Sequence, residues 1–133
     1  MTHTVTSLDH LVLTVKDIRE TITFYTDALG MEAEVFHPLD GTIRHALRFG
    51  GQKINLHQHG QEFAPKAGRV QPGSADLCFL SATPLDEWIP YLRDRNITII
   101  EGPVARTGAA GGLQSIYIRD PDENLIEISN RRC

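Results

Sequence analysis

Residues 53–60 read KINLHQHG, two histidines one residue apart in a stretch that alternates as a β-strand does. Successive strand residues point to opposite faces. Ile54 and Leu56 therefore go to one side, and Asn55, His57 and His59 to the other. Neutral imidazoles are common metal ligands, but an H-x-H pair is also what a solvated strand face carries, so the reading depends on other residues. His10 opens another alternating segment, Asp76 and Cys78 share a face of a third, and Glu127 stands between Ile126 and Ile128 in a fourth. A carboxylate so placed is costly unless it is paired or bound to a cation; Arg119, Arg44 and Arg48 are the alternative partners for Glu127. Asp76 is open to three roles: ligand, acceptor for His10 or His57, or cap. Cys78 reads as a small buried core residue ahead of a nucleophile. His59, nearest the following linker, reads as solvated, and His37 and His45 as surface residues.

The whole chain sets limits on this chemistry. At 133 residues with a net charge of −4, it suits one domain with a core of its own and has no basic stripe for nucleic acid. No apolar run approaches ~20 residues, so no membrane span is expected. The opening MTHTVTSLDH lacks the charged-then-apolar pattern of a secretory signal. With two cysteines, Cys78 and Cys133, free thiols in a reducing cytoplasm are expected.

Two similar halves must position the candidates. SLDHLVLTV (7–15) alternates as a strand, with Leu11, Leu13 and Val15 opposite His10 and Val12. A helix follows, opened by Asp17 and Glu20 as a capping box, with an apolar stripe of Ile18, Ile22, Tyr25 and Leu29 and closed by Gly30. Strands near 31–36 and 43–49, a Gly50-Gly51 turn and the KINLHQHG strand complete the half. SADLCFLSA (74–82) restarts the pattern, and Thr83 with Pro84 predicts the next helix start. Strands are expected at 96–100, 114–119 and 125–129, with turn chemistry in DPDEN. GPVARTGAAGG (102–112) reads as a mobile loop carrying Arg106, or equally as a plain connector, and residues 60–74 as a polar linker. The expectation is an α+β fold: one domain over 1–133, built of two βαβββ modules at about 5–60 and 74–131 that form a curved mixed β-sheet cleft with the helices outside. A helix covers only one face of each sheet, so a homodimer is expected.

LDHLVLTVKDIRETITFYTDALGM at the start and SIYIRDPDENLIEIS at the end resemble the vicinal oxygen chelate superfamily of glyoxalases, bleomycin-resistance proteins and dioxygenases. More narrowly, INLHQHGQEFAPKA and EGPVARTGA are similar to the glyoxalase domain-containing protein 5 branch and its small bacterial relatives. The resemblance implies metal ligands on the first and last strands of each half. It matches His10 and Glu127 to a first-strand histidine and a last-strand glutamate. Asn55 stands where glyoxalase I has a glutamate, and Asp76 where the superfamily enzymes usually have a histidine. The third ligand stays open among His57, Asp76 and Asn55; if it is His57, the set is two nitrogens and a carboxylate. The implied activity is a divalent-metal-dependent enzyme of lyase, isomerase or thiol-transfer type, with Glu127 catalytic and Zn, Ni, Mn or Fe as the ion. Glutathione or another thiol enters as a candidate co-substrate. Asn55, Arg106, Tyr117 and Lys66 are candidate contacts for a small oxygenated substrate. The competing expectations are a metal-free binding protein of the bleomycin-resistance kind and an Fe(II) dioxygenase.

Overall fold

A computed structural model describes residues 2–132. Cys133, expected as a free thiol, lies outside them. The chain divides into two units, Met1–Gln71 and Pro72–Cys133. The first contains β1 (His10–Val15), α1 (Ile18–Asp27), β2 (Glu32–Phe36), β3 (Arg44–Phe49) and β4 (Gln52–Gln58). The second contains β5 (Asp76–Leu80), α2 (Leu85–Asp94), β6 (Glu101–Gly108), β7 (Gly111–Arg119) and β8 (Leu125–Arg131). Each unit is thus βαβββ with one four-stranded mixed sheet, ordered β1-β4-β3-β2 and β5-β8-β7-β6. The fold class is α+β. Among the described residues no helix is long and apolar enough to cross a membrane.

In both sheets the first strand runs parallel to the last, and the other pairings are antiparallel. Side-chain alternation then gives each sheet one apolar face. In the first unit that face holds Leu13, Val15, Leu47, Ile54 and Leu56, each at most 5% exposed, with the buried Tyr25 of α1. In the second it holds Ile116, Ile118, Ile126 and Ile128, with Leu85 and Leu92 of α2 also buried. The opposite faces carry the polar candidates.

The helix starts depend on the last strands. Asp17 caps α1 by accepting the Glu20 N–H at 3.2 Å, as its sequence suggests, and Gln58 Oε1 on β4 accepts the Ile18 N–H at 3.2 Å. The second helix departs from expectation, because Thr83 makes no side-chain cap and Pro84 holds the N-cap position. Asn130 Oδ1 on β8 accepts the Leu85 N–H at 2.9 Å, and Asn130 Nδ2 donates to the Ser81 and Thr83 carbonyls at 3.0 and 2.8 Å. One amide thus satisfies an orphan donor of the helix terminus and two loop carbonyls, which a hydroxyl at 83 has no reach to do.

The region after α2 is the larger correction. Residues 96–100 form no strand, despite their β-branched run; Asn96 turns into the left-handed region at φ 59°. The glycine-bearing segment expected as a mobile loop is instead β6 and the tip of a hairpin. Val104 pairs with Ser115, Arg106 with Leu113 and Gly108 with Gly111. A bulge between Glu101 and Val104 lets the strand start late. Gly102 is required there: its φ is +106°, and a Cβ would sit 2.4 Å from the Ser115 carbonyl oxygen. In the DPDEN turn, Asp120 Oδ1 accepts the N–H groups of Asp122 and Asn124, both at 2.9 Å, and Asn124 Oδ1 accepts the Ala75 N–H at 2.8 Å.

Asn130→Ala is expected to destabilise the chain by about 1–3 kcal/mol, as losing a cap plus two acceptor contacts does. Thr83→Ala should stay within about 0.5 kcal/mol of the parent. Urea unfolding midpoints separate the two outcomes, and equal losses would contradict the assignment of the cap to Asn130.

Candidate functional site

The register of β1 on β4 decides which donors of the first unit can act together. His10 is level with Lys53, Val12 with Asn55 and Thr14 with His57. His10 and Asn55 are therefore two positions apart on neighbouring strands and the same face, roughly 6.6 Å along the strand direction. His57 is four positions from His10, roughly 13 Å at the normal rise. Metal–nitrogen bonds of about 2 Å do not bridge that span, so His10 and His57 do not serve one ion within this sheet.

His57 is instead enclosed. It is 9% exposed, and the linker folds back so that Phe63 meets the imidazole edge to face at 5.5 Å between ring centroids. The Arg44 guanidinium lies over the same phenyl ring at 3.8 Å. Burial, and then the Arg44 charge, push the His57 pKa below its ordinary 6.5, with Lys66 acting the same way and Glu62 opposing. The ring is neutral at physiological pH. Among the described residues its Nδ1 has no hydrogen-bond partner, nor has the buried Asn55 Oδ1. Lys66 itself is exposed in the linker. His59 is exposed as expected and pairs with Glu62 at 3.3 Å.

At the sheet's edge, His10 Nδ1 lies 2.9 Å from Asp9 Oδ2. That contact holds the Asp9 carboxyl below the usual carboxylate range. A carboxylate accepting at Nδ1 selects the tautomer whose Nε2 lone pair is free, which is how metal-binding histidines are commonly oriented. The sequence signal for this contact is the adjacent Asp9-His10 pair.

The second unit repeats the arrangement. Asp76 is level with Leu125, and Cys78 with Glu127. Asp76 and Glu127 thus stand in the same offset as His10 and Asn55. Asp76 is exposed, while Glu127 is half-buried. None of the arginines weighed as partners holds Glu127: Arg119 donates to the Glu123 carbonyl, Arg44 pairs with Asp40, and Arg48 pairs with Glu34. Its Oε2 accepts the Ser115 hydroxyl at 2.6 Å and the Ser129 hydroxyl at 3.3 Å. Both serines are fully buried and 2.7 Å from each other. Tyr117 faces Glu127 across β7–β8, and its hydroxyl accepts from Arg106 Nε at 2.9 Å. Burial raises the Tyr117 pKa despite that contact, and Glu127 raises it further. Arg106 also donates to Glu101 at 2.8 Å.

Cys78 is exposed rather than buried, because the strand presents it on the polar face beside Glu127. Its thiol is 3.3 Å from the Ser129 hydroxyl; burial of the sulfur, with Glu127 adding, raises its pKa. It is mostly protonated at neutral pH. Cys78, Leu80, Arg106, Leu113, Glu127 and Arg131 line a pocket of about 410 Å³ together with hairpin residues 107–110.

Each unit offers one pair at the same strand offset: an imidazole with its Nε2 free and an amide oxygen lacking a partner in one, two carboxyls in the other. Among the described residues no three His, Cys, Asp or Glu side chains converge as a metal cluster.

Because the folded state holds His57 neutral and the unfolded chain does not, stability from this residue is present above about pH 6.5 and is lost as pH falls through and below that value. Chemical unfolding measured from pH 7.5 downward should show this loss, and His57→Gln should flatten the slope through that range. An unchanged slope would show that His57 is not the titrating group.

Residues 7–128 match the glyoxalase/bleomycin resistance protein/dioxygenase superfamily. The chain is 57% identical to virulence protein STM3117 of Salmonella typhimurium over 92% of this chain and 82% of that protein. Integron cassette protein VCH_CASS1 from the mobile metagenome of V. cholerae has a solved structure 53% identical, covering 99% of this chain and 100% of that one, with a TM-score of 0.92. A more distant relative, the metallothiol transferase FosB of Staphylococcus saprophyticus, is 29% identical over 92% of this chain and 75% of its own length. The chain belongs to the glyoxalase/bleomycin resistance protein/dioxygenase superfamily.

Proposed function

We propose that this chain is a divalent-metal-dependent enzyme of glyoxalase type that acts on a small oxygenated substrate by thiol transfer or a related step, not by the glyoxalase I isomerisation. The observation that carries the reading is the repeated offset of donor pairs, His10 with Asn55 and Asp76 with Glu127, on the polar faces of two equivalent sheets. His10 through Nε2, the Asn55 amide oxygen, and the carboxyls of Asp76 and Glu127 would hold the ion; His57 would not. One nitrogen and three oxygens suit Mn²⁺, Fe²⁺, Ni²⁺ or Zn²⁺ alike. When bound, the ion polarises substrate oxygens and stabilises the negative charge that develops on them.

The protein's own groups limit the chemistry. Isomerisation between adjacent carbons takes a proton from one and returns it to the other, which two carboxylates near the ion do well. Here the position equivalent to Glu127 is Asn55, which neither accepts a proton at neutral pH nor carries charge. Glu127, held by the Ser115 and Ser129 hydroxyls, and Asp76 beside it both lie in the second unit, so no carboxylate stands at the Asn55 position to take the other half of that transfer. A single base is enough to take the proton of an incoming thiol as its sulfur bonds to a substrate carbon, and to return it to the substrate oxygen whose C–O bond to that carbon breaks; the kinship with a metallothiol transferase supports that step. Glutathione is one thiol that would serve. An Fe(II) dioxygenase is disfavoured, because the facial triad needs two histidines beside one carboxylate and His57 is out of reach of His10.

Two measurements test this. Metal analysis of tag-free protein after loading with Zn²⁺, Ni²⁺ or Mn²⁺ should find bound ion. His10→Ala and Glu127→Ala should each lower affinity by at least the ~10–100-fold that even outer-shell losses cost, while His57→Ala and His59→Ala leave it nearly intact. Protein that stays empty would favour a metal-free binding protein. In the second, Ni²⁺- or Zn²⁺-loaded protein given the methylglyoxal–glutathione adduct should form S-lactoylglutathione far below the ~10 s⁻¹ of a typical enzyme. Turnover at that rate would show that Asn55 is no handicap.

A further inference from the structure

The pocket beside Glu127 has a charge arrangement that the metal reading does not use. Two guanidiniums line it, and they differ. Arg106 is engaged by Glu101 at 2.8 Å and by the Tyr117 hydroxyl at 2.9 Å, so its charge is largely answered within the sheet. Arg131, on β8 opposite Leu113, makes no ion pair or hydrogen bond among the described residues. It shares a sheet face with Glu127, four residues away on the same strand, roughly 13 Å between their Cα atoms. Between these ends run Cys78 and the apolar side chains of Leu80 and Leu113. Behind the lining, the Glu127 carboxyl is held by the buried hydroxyls of Ser115 and Ser129.

A pocket of about 410 Å³ with a carboxyl, Glu127, toward one end and an unanswered guanidinium toward the other is dipolar. An arginine fork matches the paired oxygens of a carboxylate or phosphonate, and its charge does not titrate away. We infer that Arg131 is the anion anchor of this pocket and that the substrate is a small organic anion, its carboxylate or phosphonate head on Arg131 and its reacting oxygens toward Glu127. Arg106, the anion contact suggested by the sequence, has a structural role instead: it ties β6 to β7 and fixes the Tyr117 hydroxyl. The hairpin tip contributes residues 107–110 to the lining, and a Cβ at Gly108 would press on the Gly111 carbonyl oxygen at 3.0 Å and make Leu113 shift. The inference rests on the proposed function only in taking this pocket as the substrate's place; it does not require the metal.

Cys78 supplies a reporter inside the pocket. In a Cys133→Ser background the remaining thiol is Cys78, and its alkylation by neutral iodoacetamide reads pocket occupancy directly. Methylphosphonate or propionate should slow alkylation in a saturable way, and dimethyl methylphosphonate, the uncharged control, should not. The head that protects at the lower concentration identifies the preferred anion. Arg131→Gln should raise the half-protecting concentration at least about tenfold, the scale of one charge-assisted contact. Arg131→Lys should retain most of the protection, which separates lost charge from lost fold, and Arg106→Gln should retain it too. Protection should persist in EDTA. Equal protection by the neutral ester, no protection by either anion, undiminished protection in Arg131→Gln, or loss in Arg106→Gln alone would each overturn the assignment. Protection that vanishes with EDTA would place the anion on a metal instead, refuting the Arg131 anchor while leaving the metal-dependent reading intact.

Discussion

The parallel pairing of the first and last strands in each unit is the constraint on which the rest depends. It sets Val12 against Asn55 and Cys78 against Glu127, and so fixes which donors stand near one another. A slip of one residue would send every side chain of the strand to the other face. In the first unit a slip of β1 would bury His10 against α1 and expose Leu13 and Val15. The apolar faces therefore fix the chemistry indirectly: burial of Ile54 and Leu56, or of Ile126 and Ile128, holds the polar residues between them in place.

The same last strands also start the helices. Gln58 lies three residues after Asn55 and accepts from Ile18; Asn130 lies three residues after Glu127 and accepts from Leu85. An amide side chain at this point satisfies a helix donor that the linking residues leave open. The equivalence of Asn55 with Glu127 thus rests on two features, the strand register and the cap that follows it. The units then diverge in what they do with the polar face. In the first, Phe63 and the linker cover His57 and leave a neutral, enclosed imidazole. In the second, the face beside Glu127 carries the pocket lined by Cys78 and Arg131.

Much of this was legible in the sequence. Alternation located β1, β4, β5 and β8, and the 3.6-residue stripe with Asp17 located α1. Legibility failed where a local signal competed with a distant one. The run Ile97–Ile100 has strand-like composition, yet the pairing with β7 begins at Glu101, because the bulge at Gly102 sets where β6 can meet Ser115. Glycines in 102–112 suggested a loop, but Gly108 and Gly111 are what a tight hairpin of small residues needs. Thr83 looked like a cap, but Asn130, far along the chain, took the position. At the site, reach along a strand made His57 a plausible partner for His10; cross-strand register, which one sequence does not reveal, removed it. Glu127 was correctly singled out as a carboxyl needing a partner, but that partner is a pair of serines rather than an arginine, since Ser115 and Ser129 share its face two strand positions or one strand away.

The central claim is that register pairs His10 with Asn55 and leaves His57 outside the ion's reach. Pulsed electron paramagnetic resonance of Mn²⁺-loaded protein, prepared with ¹⁵N-labelled histidine, counts coordinated imidazoles directly. The account predicts nitrogen coupling from one imidazole, abolished by His10→Ala and unchanged by His57→Gln. Coupling from two imidazoles, or its loss in His57→Gln, would contradict the account.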